Sequence, residues 1–202
     1  MPMLYDPFHW FWKADDGRLY SSAVQALVPA TDPDFVAFME ASGETTPPNW
    51  PRDDAGTQTD ASLQAVLDPY GLFADEEYYA ASRRWLAETG GITSTAGVPL
   101  ETNDRSKTMI IGAGLAASND NQFTTTWVGA DGNLYPLTNA QLVEQVGDLQ
   151  RHIDACFKAY TDVVGQLRSG KRLSRKQIDD AFVIKPTPAP AKKPPPPHPP
   201  KK

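Results

Sequence analysis

The chain has 202 residues, 40% of them hydrophobic and 22% charged, which is an ordinary globular balance and room for one large or two small domains. Five lysines and no acid lie in residues 185–202, so the remainder holds 14 basic and 25 acidic residues, a formal charge of −11 that argues against nucleic acid as a partner. One cysteine excludes an intramolecular disulfide, and three scattered histidines lack metal-ligand spacing, so no metal or other cofactor is expected.

The chain opens on "MPMLYDPFHW", which has no basic n-region, and its longest apolar run, "MIIGAGLAA", is far below the roughly 20 residues that span a bilayer. Neither a secretory signal nor a membrane partner is expected. "HWFWKADDGRLYSS" predicts two strands around an Asp16-Gly17 turn. In "TDPDFVAFMEASG", Thr31 or Asp32 caps a helix, Pro33 suits its first turn and Gly43 its end. The Pro- and Thr-rich loop that follows carries Trp50, expected to tuck onto the core. Thr59 or Asp60 then caps a short helix that Pro69 and Gly71 terminate.

"ADEEYYAASRRWLAETGG" predicts a stronger helix, with acids in its first turn and Gly90-Gly91 as a stop. Glu76 and Glu77 are adjacent, so they point to different sides of that helix and serve its start better than a paired-carboxylate reaction. "GITSTAGVPLET" predicts two short strands around Ala96-Gly97. Asn103 or Asp104 caps the next helix, with Met109, Ile110, Leu115 and Ala116 expected inside and Gly112 and Gly114 expected to admit a close neighbour. The "GAG" there lacks the spacing of a nucleotide-binding loop.

"FTTTWVGADGNLYPL" is the clearest hairpin, turning at Asp131-Gly132. It echoes the first: a Trp, a run ending in Asp-Gly, then Leu-Tyr. Duplication and convergence on one turn recipe both account for the echo. Thr138 and Gln141 form a capping box for a long helix. Along it Leu142, Val146, Leu149, Ile153, Cys156, Tyr160, Val163 and Leu167 alternate at spacings of four and three, the period that keeps a seam on a partner helix. That partner is a second copy, giving a homo-oligomer through the 139–168 helix, or a helix of the same domain. Cys156 lies in the seam and is expected to be a small core residue. Ser174 and Gln177 cap a last short helix. The end, "KPTPAPAKKPPPPHPPKK", is half proline and is expected to be disordered or extended, with an aromatic-lined groove on a partner as the alternative role.

The fold class expected is α+β: short β-hairpins packed on helices, a long C-terminal helix and a proline-rich tail. The expected regions are 1–72, a small α+β part with a hairpin; 73–184, a second α+β domain; and 185–202, the tail. Acid pairs at Asp15-Asp16, Asp53-Asp54 and Asp179-Asp180 sit where solvated acids are ordinary, and no Ser/His/Asp or Cys/His set stands out, so a non-enzyme is expected. The residues expected to make protein contacts are Trp12, Tyr20, Trp127, Tyr135, Leu142, Val146, Leu149, Ile153, Tyr160, Val163 and Leu167. A carbohydrate- or receptor-binding module is the alternative, with Trp10, Trp12, Trp50, Trp85 and Trp127 as stacking faces.

Over residues 75–183 the chain resembles an uncharacterised domain of bacteriophage and prophage tail proteins. The resemblance rests on the Gly91-Ile92 strand and on the helix start at Thr102, Asp104, Arg105 and Ser106. Ala116 and Ala117, the Trp127…Asp131-Gly132 hairpin, and Leu137-Thr138…Gln141 before the long helix complete it. "QALVPATDPDFVAF" and "PNWPRD" resemble, more loosely, the front of tail-fibre-associated or tail-fibre-assembly proteins. The resemblance implies a non-catalytic structural component or assembly partner of tail fibres. Its partners would be other tail or tail-fibre proteins. Its location would be the host bacterial cytoplasm during assembly, with the virion tail as a second place.

Overall fold

A computed structural model describes residues 4–184. Over these residues the fold is α+β, with six α-helices and short antiparallel hairpins. The described residues form two compact units, 4–82 with 166–175 and 83–165 with 176–184; the division falls within a helix, whereas the sequence places a boundary at 72–73. The proline-rich tail lies outside the described residues.

In the first unit, β1 (Phe11–Lys13), β2 (Leu19–Ser21) and β3 (Ala26–Leu27) form an antiparallel sheet in that order. Trp12 pairs with Tyr20 across the Asp16-Gly17 turn. The turn is closed by Ala14 N–H to Arg18 O at 2.9 Å and Gly17 N–H to Ala14 O at 3.0 Å, with Gly17 at φ +92°. Side chains alternate across a strand, so the sheet feeds two clusters. Trp12 and Tyr20 join Trp50, Leu63 and Leu67 on one face. Phe11 and Leu19 join Phe35 and Phe38 of α1 (Pro33–Ser42) on the other. The Asp32 carboxylate caps α1 by accepting from the Asp34 and Phe35 N–H groups. Thr59 and Ser62 form a reciprocal capping box for α2 (Asp60–Leu67). Trp50 is buried, its Nε1–H donating to Thr59 O at 2.8 Å. Tyr20 is fully buried and donates its hydroxyl to Phe73 O at 2.7 Å, which satisfies the one polar atom that burial would otherwise strand.

Helix α3 (Glu76–Thr89) starts on Asp75, whose carboxylate accepts from the Glu77 and Tyr78 N–H groups. In the second unit β4 (Ile92–Thr93) pairs with β5 (Pro99–Leu100), and β6 (Thr125–Val128) with β7 (Leu134–Leu137). Helix α4 (Asp104–Asn119), capped by Asn103 onto Ser106 N–H, and α5 (Asn139–Arg168) supply the helical side of the core. Leu100, Ile110, Ala117, Leu137, Leu142 and Leu149 form its centre. A Cβ at Gly114 would lie 2.2 Å from Val146 Cγ2, so that glycine sets how closely α4 and α5 approach. The last helix, α6 (Arg175–Ala181), buries Ile178.

Two details of α4 differ from the sequence expectation. Its buried stripe is Ile110, Gly114 and Ala117, spaced four and three, while Met109 and Leu115 are 54% and 62% exposed. Each is one residue from the stripe, a rotation of about 100° away from it. Gly112 meets nothing within 4 Å, so Gly114 alone serves close packing.

Candidate functional site

The seam of α5 faces the chain's own interior at its best-buried positions. Leu142, Leu149, Cys156 and Val163 are each at most 2% exposed, and Val146 and Ile153 pack on the core of the second unit. Tyr160 and Leu167 are half-buried. The seam is therefore occupied within one chain; the exposed apolar residues of α5 are Val143 and Phe157, beside the seam. Trp12 and Tyr20 are likewise core residues, 5% and 0% exposed. Of the expected contact residues outside α5, Trp127 and Tyr135 remain partly open.

These two lie on the inner face of the β6–β7 hairpin, paired directly across it. Asp131 organises the turn: its carboxylate accepts from the Tyr135 hydroxyl at 2.8 Å, from Asn133 N–H at 3.1 Å and from Asn133 Nδ2 at 2.8 Å. The Tyr135 hydroxyl and the Asn133 amides hold that carboxyl below the ordinary carboxylate range. The outer face of the same hairpin carries Thr126, Val128, Leu134 and Pro136, all exposed, with Val128 opposite Leu134. Val128 is 62% and Leu134 69% exposed.

Beside β6 runs an open groove of about 670 Å³. One wall is α4, through Arg105, Ser106, Met109 and Gly112. The other is residues 125–130, six in succession, and Phe123 contributes an aromatic ring. Ile111 and Leu115 of α4, 54% and 62% exposed, do not line the groove and project to other sides of the helix from Met109. Sequence reasoning missed the groove because it assigned Met109 to the interior. The available signal was the period-two alternation of β6, which places Thr126 and Val128 on one face and Thr125 and Trp127 on the other.

Other polar clusters have structural work. Glu88, 8% exposed, is held by Arg84 and by Lys107 Nζ at 2.5 Å, and the Arg84 guanidinium lies 4.7 Å over the Phe157 ring. In the first unit a groove of about 560 Å³ brings Asp75, Glu76 and Glu77 near Lys171 and Arg172. Burial raises the Asp75 carboxyl, but its oxygen is engaged in capping α3. Cys156 and His152 approach, with Sγ 3.8 Å from Nε2. That nitrogen is also 3.0 Å from Ala87 O, and since a carbonyl can only accept, Nε2 carries the proton. It cannot then take the thiol proton, and burial pushes the thiol up to about 11. Among the described residues no group of three or more His, Cys, Asp or Glu side chains is placed to hold a metal ion, and no helix is long and apolar enough to cross a membrane.

No curated protein and no solved structure matches the chain. A family model does: residues 74–185, more than half the chain and the whole stretch that holds the groove, match the domain of unknown function DUF4376, and the chain belongs to that family.

Proposed function

We propose that this chain is a non-catalytic protein of a phage or prophage tail, a structural component or assembly partner of tail fibres that works by protein–protein contact. One observation carries the contact: the outer face of β6–β7, with Val128 opposite Leu134, has no cover, whereas the corresponding face of β1–β2, Phe11 and Leu19, is covered by Phe35 and Phe38 of α1. An exposed cross-strand apolar pair beside a groove that Met109 and Phe123 line favours another polypeptide as the missing cover. The tail assignment itself rests on the resemblance of residues 75–183. Partners are other tail or tail-fibre proteins, and the places of work are the host bacterial cytoplasm and the virion tail. Of the five tryptophans of the carbohydrate-binding alternative, Trp12 and Trp50 lie inside a core and are not offered to sugars, while Trp85 is 47% exposed.

The test is co-expression of the tagged chain with the tail-fibre proteins encoded beside it, followed by purification and mass spectrometry of both the complex and intact particles. A stoichiometric tail-protein complex is the expected result. A chain that co-purifies with no tail protein and is absent from particles would refute the proposal.

A further inference from the structure

We infer that the free edge of β6 is a docking site for one extended, basic segment of a partner protein, which adds to the hairpin as a third strand inside the groove. This rests on the protein-contact proposal and names how the partner is held. The register decides which main-chain groups are free. Gly129 N–H donates to Asn133 O at 2.9 Å, and pairs alternate along an antiparallel ladder. Trp127 with Tyr135 and Thr125 with Leu137 are therefore the bonded pairs, while Thr126 and Val128 turn their N–H and C=O groups away from β7. Neither residue has another hydrogen-bond partner among the described residues.

Within this hairpin the outer edge of β7 is the alternative, and it is interrupted. Pro136 sits opposite Thr126 and has no N–H to offer along the outer edge of β7. Ala130 N–H, next in the outward series after Thr126 and Val128, already donates to Pro99 O at 2.8 Å. What remains is a short edge of two residues. The groove lies along that edge, since its wall is formed by consecutive residues 125–130 and not by alternate ones. A face would contribute every second residue; an edge contributes all of them.

The chemistry of the occupant follows. Two N–H and two C=O groups in strand geometry match the backbone of an extended chain, which supplies affinity without a fixed side-chain code. Met109 and Phe123 receive an apolar side chain of that strand. Glu101 and Arg105 line the groove with one charge each, Asp104 beside it is paired with Lys107 at 3.5 Å, and Asp131, next to the lining residue Ala130, leaves one carboxylate in excess. That carboxylate favours a segment carrying Lys or Arg.

The probe is the synthetic peptide acetyl-KVTVKV-amide, with two derivatives N-methylated on alternate residues so that each loses the N–H groups of one edge. Binding is measured by fluorescence anisotropy and by hydrogen exchange of the Thr126 and Val128 amides. The parent peptide binds and slows both amides, and one N-methylated form loses at least about tenfold in affinity while the other retains it. Thr126→Pro removes one outward N–H that β7 does not use and weakens binding by about tenfold or more, and Thr126→Val, which keeps the N–H, does not. Circular dichroism confirms the fold of both variants; if Thr126→Pro fails to fold, the N-methylated pair decides. Two N-methylated forms that bind alike, or no binding of the parent at about 1 mM, overturn strand addition. If the chain still enters tail complexes in that case, strand addition is wrong and the tail proposal stands. A peptide that binds in this pattern, with no tail complex formed, refutes the tail proposal and leaves strand addition standing.

Discussion

The two echoing hairpins share a local construction and differ in what covers them. In each, a Trp pairs with a Tyr across an Asp-Gly turn, and the turn is closed by the same two main-chain bonds: Ala14 N–H to Arg18 O and Gly17 N–H to Ala14 O in one, Gly129 N–H to Asn133 O and Gly132 N–H to Gly129 O in the other. The β4–β5 turn uses the recipe a third time, through Ser94, Gly97 and Val98, without the Trp and Tyr. The recurrence of the turn is thus explained by its chemistry, since each requires a glycine at positive φ in one fixed position. Cover is another matter. The first hairpin gains β3 and lies between two aromatic clusters; the second has one buried face and no third strand. Local sequence writes the hairpin, and only the rest of the fold decides whether its second face is core or contact surface.

The sharpest way to break that contrast is to truncate the equivalent leucines. Leu19→Ala, at a position 3% exposed, is expected to cost about 2–5 kcal/mol, because it leaves a cavity beside Phe35 and Phe38. Leu134→Ala, at a position 69% exposed, is expected to change stability by less than about 0.5 kcal/mol. Urea unfolding followed by tryptophan fluorescence and circular dichroism measures both. Comparable losses would mean that the outer face of β6–β7 is covered within the chain and is not a contact surface.

The glycines of α4 give a smaller effect of opposite signs. Gly114→Ala pushes a methyl into Val146 and is expected to cost about 1–3 kcal/mol. Gly112→Ala enters open space in mid-helix and is expected to stabilise by about 0.5–1 kcal/mol. Thermal unfolding of the pair reads the difference, and a destabilised Gly112→Ala would show that the groove wall is tighter than this structure has it.

The same helix shows what was legible in the sequence. The Asp-Gly turns and the length of α5 follow from short-range chemistry, and so does each cap to within two neighbours: the structure uses Asp32 and not Thr31, Thr59 and not Asp60, Asn103 and not Asp104. Which of Met109, Ile110 and Leu115 turns inward does not follow, because all three are apolar and a helix presents each to a different side. The answer depends on Gly114 meeting Val146, a contact between residues 32 positions apart. Trp12 and Trp127 pose the same difficulty: identical local patterns, one in a core and one on a groove.

Cys156 tests the covered side of the second unit. Burial pushes its thiol up from an ordinary 9.0 to about 11, so the folded state favours the neutral form. The raised value contributes stability below about pH 9 that is lost as pH rises towards about 11. The native protein is expected to leave a disulfide reagent such as dithionitrobenzoate unreacted at pH 8 and to react with it on unfolding. Rapid native labelling would show that the α5 seam opens.

The smallest effect separates the two turns by their acids. Asp131 and Asp16 are both held below the ordinary carboxylate range, Asp131 foremost by the Tyr135 hydroxyl and Asp16 foremost by the Arg18 N–H. A depressed carboxylate stabilises the fold above its unfolded pKa and loses that contribution as pH falls through the folded one, so both turns weaken only in acid. Tyr135→Phe removes the hydroxyl and keeps the ring on the core. It is expected to move the Asp131 titration, followed by carboxyl-carbon NMR, up towards the ordinary range and to leave Asp16 in place. A shift at both would mean that the turns are coupled; a shift at neither would mean that the Asn133 amides alone hold Asp131, and that the Tyr of the second hairpin, unlike Tyr20, serves only as an apolar ring.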